Sequence, residues 1–107
     1  MKSFDLVAGT AVVLHLHSPK EKIWGILVSL SSAGIVIHGL DLEAFEDWVR
    51  QETRGEEGVA PCSCFYPLMR VVRMDRDESA PGLLGCADRF RAATGRSVWE
   101  VTGCPSP

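Results

Sequence analysis

Three histidines, four cysteines and a late run of arginines are the side chains of this sequence whose type and spacing invite chemistry. His15 and His17 stand two apart on an alternating segment, so both rings share one side of a strand, and His38 reaches them if the sheet brings the two segments together. Three imidazoles suit a divalent metal. No Asp or Glu lies on those segments to orient the rings, as metal-bound histidines require, so solvated or hydrogen-bonded histidines are expected. The cysteines occupy positions 62, 64, 86 and 104. Cys62-x-Cys64 lacks the two-residue gap by which a zinc knuckle sets two sulfurs on one ion, and no second pair follows it. Reduced thiols acting as small apolar residues are the expectation, with Cys104 exposed near the proline-rich end. Ser31 and Ser32 have no G-x-S-x-G context, and no cysteine has a histidine beside it in sequence. No catalytic, cofactor-binding or metal-ligating residue is therefore assigned, and a non-enzymatic protein is expected, with a His or Cys metal site of hydrolytic chemistry as the second alternative after RNA binding.

Charge offers a second kind of chemistry. Arg70, Arg73 and Arg76, followed by Arg89, Arg91 and Arg96, make a basic stripe for phosphates if the last helix folds back beside the strand bearing the first three. Asp75, Asp77, Glu78 and Asp88 are interleaved with them, so internal ion pairs are the expected destination and RNA binding the alternative. The whole chain sets 11 Lys and Arg against 14 Asp and Glu, a net charge of -3 that draws in neither nucleic acid nor anionic lipid. Seven acids and two arginines between Asp41 and Gly58 give that segment a charge of -5, leaving +2 on the rest. Its polar side, with Glu43, Glu46, Asp47 and Arg50, joins Arg70, Arg73 and Arg76 as the candidate interaction surface.

The elements that must carry these residues follow from periodicity. A chain of 107 residues, 46% hydrophobic and 23% charged, makes one folded domain over 1–107 and is neither a disordered tail nor a low-complexity segment. Alternation predicts strands over 10–17, 23–30 and 35–40, joined by short turns at Pro19 and at Ser31 to Gly34 as an antiparallel meander. A helical insertion spans about 41–53, with Asp41 as its N-cap and Phe45, Trp48 and Val49 on its buried side. A fourth strand over 62–66, a corner at Pro67-Leu68 and a fifth strand over 69–74 come next. The C-terminal helical segment covers about 86–102, with Phe90 inside, Gly95 as a stop and Ser97-x-x-Glu100 as a capping box.

Trp24-Gly25-Ile26-Leu27, with an inward Gly25, and the strand, corner and strand of Phe65-Tyr66-Pro67-Leu68-Met69-Arg70-Val71-Val72 resemble the Sm-like family, including its bacterial RNA-chaperone branch. The resemblance covers about half of the chain, residues 10–40 and 64–75. It implies a fold mainly β with α additions, a five-stranded Sm-like or SH3-like bent barrel with a helix inserted between strands 3 and 4 and a C-terminal helix. Gly39-Leu40-Asp41-Leu42 and Phe45-Glu46-Asp47-Trp48 are also similar to segments of bacterial proteins without an established activity. In the Sm-like family, RNA is held by an Asp or Asn between the second and third strands and by a basic or Lys-His element at the later corner. Ser31-Ser32-Ala33-Gly34 and Pro67-Leu68 stand there instead, so the uridine pocket does not carry over. Open strand edges pair between protomers in Sm-like rings, which implies a homo-oligomer or a protein-binding adaptor whose acidic helix meets a basic partner. Asp5 interrupts the place of a secretory signal core, and the apolar stretch 23–40 is broken by glycines and serines, so a cytoplasmic chain without a membrane segment is expected.

Overall fold

The computed structural model describes residues 6–107, so Asp5 and the expectation built on it lie outside the described residues. Five strands, β1 (Ala11–Leu16), β2 (Glu21–Leu30), β3 (Gly34–Asp41), β4 (Cys62–Pro67) and β5 (Val71–Arg76), form one antiparallel sheet in the order β4-β3-β2-β1-β5. The helices are α1 (Phe45–Arg54), between β3 and β4, and α2 (Cys86–Thr94) and α3 (Val98–Thr102) after β5. The protein is thus mainly β with α additions. No helix among the described residues is long and apolar enough to cross a membrane.

Period-two alternation sends neighbouring side chains to opposite faces of the sheet. Ala11, Trp24 and Ile26 pack on one face with Phe45, Trp48, Val49, Phe90 and Val98 of the helices. Val12, Leu14, Leu16, Ile23, Leu27, Ile35 and Ile37 make a second cluster on the other face. Tyr66 from β4 and Val71 and Met74 from β5 pack against that same second cluster, although their strands lie at opposite ends of the sheet order. The sheet therefore curls strongly. Gly25 and Gly39 face each other across β2 and β3, where a Cβ on Gly39 would stand 2.1 Å from the Trp24 carbonyl oxygen and 2.7 Å from the Gly25 Cα. Only paired glycines permit this approach, which marks a tight bend in the sheet.

A single 3-10 turn, Leu68–Arg70, carries the chain from one sheet edge to the other, so the two edges come near each other at that end. Met69 and Arg70 belong to this turn, and the fifth strand starts only at Val71. Beyond the turn β4 and β5 do not pair, so the sheet is open where a closed barrel is expected. Phe45 and Trp48 are buried as read from the sequence, on an α1 that covers one face of the sheet with α2 and α3. Asp41 makes no side-chain cap, because a 3-10 turn, Leu42–Ala44, separates it from α1.

Candidate functional site

An antiparallel sheet that stays open presents two rows of unpaired backbone groups, and here those rows belong to β4 and β5. β4 pairs along one side only, from Gly34↔Pro67 to Gly39↔Cys62. β5 pairs only with β1, and a register shift beside Leu16 leaves Val72 outside the ladder. Apolar side chains crowd both edges: Phe65 on β4 is 54% exposed, Val72 on β5 is 60% exposed, and Met69 on the connecting turn is 81% exposed. Phe65 keeps its place because Gly34 has no side chain, since a Cβ there would meet the Phe65 ring at 2.7 Å. Leu68 on the same turn as Met69 is exposed, and Val28 and Leu30 are exposed at the end of the central strand β2. Exposed apolar residues gathered on open edges suit strand addition by another chain.

The arginines do not make one basic face. Spacing by three alternates sides in a strand, so Arg73 opposite His15 and Arg76 opposite Val12 lie on opposite faces of β5. The Arg70 guanidinium donates to the carbonyls of His17 at 3.3 Å and Pro19 at 3.0 Å, tying the 3-10 corner to the β1–β2 turn. Arg76 is half-buried. Arg89, Arg91 and Arg96 pair with Glu46, Glu100 and Glu52, and Arg73 pairs with Asp75 at 3.2 Å. Glu46 of the acidic surface is thereby engaged within the molecule, and Asp47 pairs with Arg50 on its own helix. Glu43 is exposed and lines a recess of about 640 Å³ with Lys20, Glu21, Lys22, Asp41 and Leu42, a wall of mixed sign.

The histidines stay apart. His15 lies opposite Lys22 and His38 opposite Ile26, four residues along β2, which separates them by about 13 Å along the strand alone. A carboxylate does orient one ring, from a strand outside the histidine segments: His15 Nε2 lies 2.9 Å from Asp75 on β5. His17 contacts Ser18 and His38 contacts Ser63. Among the described residues no three His, Cys, Asp or Glu side chains gather closely enough to hold a metal.

Cys62 and Cys64 share a face of β4, with their sulfurs 3.7 Å apart. They line a mainly apolar recess of about 370 Å³ with Ile23, Leu40, Asp41, Ala44, Val59 and Tyr66. Contact with Cys64 pushes the Cys62 thiol above its ordinary value, and burial, aided by Cys64, pushes the Tyr66 phenol up to about 12. Cys86 opens α2, where burial first and the Asp77 carboxylate second push its thiol up to about 11. Cys104 is half-buried against the helical cluster, not exposed as expected.

Sequence reading missed Asp77. Its carboxylate accepts from the backbone N–H groups of Cys86 at 2.7 Å and Ala87 at 2.8 Å and from Trp24 Nε1 at 3.0 Å. It therefore caps α2 from outside the helix and fixes the indole at the centre of the aromatic core. A carboxylate nine positions before a helix that begins without its own capping side chain is the only signal the sequence holds for it. Comparison with known proteins finds no matching family model, no matching curated protein and no matching solved structure.

Proposed function

We propose that this chain is a non-enzymatic β module of the Sm-like bent-barrel kind that assembles with copies of itself, the β4 edge of one protomer pairing with the β5 edge of the next. One observation carries the reading: both ends of the five-stranded sheet are unpaired and bear exposed apolar side chains, Phe65 on one and Val72 on the other. The curl that brings Tyr66, Val71 and Met74 onto one cluster supports the small-barrel architecture. Pairing of two different edges is heterologous, so successive copies close into a ring or continue as a filament. Arginines engaged with Asp75, Glu46, Glu100 and Glu52 favour this reading over an RNA-binding one. The acidic helix supports an adaptor role less well, since Glu46 and Glu52 are matched by the chain's own arginines.

Light scattering across a concentration series tests the proposal. The native chain is expected as an oligomer, and Phe65→Lys or Val72→Lys is expected to release monomers with unchanged circular dichroism, because an edge lysine blocks strand addition. An oligomer that survives both substitutions would place the interface elsewhere and defeat the edge model.

A further inference from the structure

We propose that Cys62 and Cys64 form a two-thiolate site for a single soft metal ion of low coordination number, monovalent copper. Residues two apart on a strand point the same way, and pairing sets Cys62 opposite Gly39 and Cys64 opposite Ile37. A gap of one residue therefore does on an extended strand what a zinc knuckle needs two residues to do on a turn. A two-coordinate ion lies nearly in line between its sulfurs and holds them somewhat farther apart than the 3.7 Å at which this pair stands, an opening that side-chain rotation supplies with the strand in place.

The identity of the ion follows from what surrounds the sulfurs. Among the described residues no third His, Cys, Asp or Glu completes the group, so zinc would be left with two of its four positions unfilled by the chain. Monovalent copper is soft, prefers thiolate and is satisfied by two such ligands. Ile23, Leu40, Ala44 and Val59 make most of the recess beside the pair, and Asp41, the one carboxylate on its wall, does not gather with the two sulfurs into a three-ligand group. Gly39, opposite Cys62, leaves the approach to that sulfur free of a side chain. Each thiol gives up its proton as its sulfur bonds the metal, so loading releases two protons and involves no change of oxidation state. Cys86 and Cys104 pack with the helices, away from this recess, and serve as an internal control.

The test is a competition for monovalent copper between the reduced full chain and bicinchoninate under anaerobic conditions. The native chain and the Cys86→Ser/Cys104→Ser variant are expected to withdraw one copper per chain, with two sulfur neighbours in the X-ray absorption spectrum. Cys62→Ser and Cys64→Ser are each expected to weaken uptake about a hundredfold, the scale of losing one arm of a two-point attachment. On the native chain, phenylarsine oxide bridges two close thiols with loss of water and is expected to block uptake, a readout that needs no variant. Failure of the native chain to compete, uptake that survives Cys64→Ser or the arsenical, or zinc bound as tightly as copper would each overturn the proposal.

Discussion

Asp77 ties the start of α2 and the indole of β2 to one side chain. Its two oxygens accept from Cys86, Ala87 and Trp24, so one carboxylate fixes a helix start and the central indole together. Asp77→Ala removes a charged acceptor from all three donors and is expected to cost about 2–4 kcal/mol in urea unfolding, since hydrogen bonds to a charged group are worth about 1.5–3 kcal/mol and a helix cap about 1 kcal/mol. A loss below about 0.5 kcal/mol would mean that water serves the same donors equally well. Gly39→Ala forces a methyl against the Trp24 carbonyl and the Gly25 backbone, and about 3 kcal/mol of lost stability is expected, at the upper end for overpacking. Cys86 makes stability depend on alkaline pH. Its folded-state pKa of about 11 lies above the ordinary thiol value of 9.0, so the native state holds the proton longer than the unfolded chain. Its contribution is fully present below pH 9 and is lost as pH rises through about 11. Cys86→Ser, which does not titrate there, is expected to flatten that part of the stability profile, and an unchanged slope would remove Cys86 as its source.

At the scale of elements, α1 is held by aromatic contacts. Phe45 meets Trp24 edge-on at 5.0 Å between ring centres, and Trp48 lies 4.5 Å from Phe90 of α2. Phe45→Ala opens a cavity at the join of sheet, α1 and α2, and a loss of about 3–5 kcal/mol is expected by denaturant titration. A loss near zero would mean that the helices collapse freely onto the sheet. What was legible in the sequence was local. Alternation in Val12, Leu14 and Leu16 marked β1, the spacing of Phe45, Trp48 and Val49 marked α1, and Ser97 with Glu100 forms the capping box that their separation of three announces. The Ser97 backbone N–H holds the Glu100 carboxyl below its usual range, as that box requires. Features built from distant pairs were not legible. Asp77 is 53 positions from Trp24, and His15 is 60 from Asp75. No pattern in one strand announces its partner's register. The arginine stripe failed for a related reason: a spacing of three makes a face on a helix, and β5 is a strand.

For the whole molecule, the two open edges dominate. The helices cover one face of the sheet and its own curl shelters the other, which leaves the backbone groups of β4 and β5 as the surface still to be satisfied. Fully burying Phe65 and Val72 against a neighbour is worth about 1.5–3 kcal/mol each. Association costs about 4–15 kcal/mol, so in the proposed assembly the apolar contacts alone leave one interface marginal, and edge hydrogen bonds are expected to supply the rest. An interface this marginal is expected to be dissolved by one lysine on either edge. The most direct measurement is the mass in solution by light scattering, native chain beside Val72→Lys. Edge pairing predicts a native mass several times that of one chain, falling to a single chain in the variant with its circular dichroism intact. A native chain that stays monomeric at every concentration would contradict it.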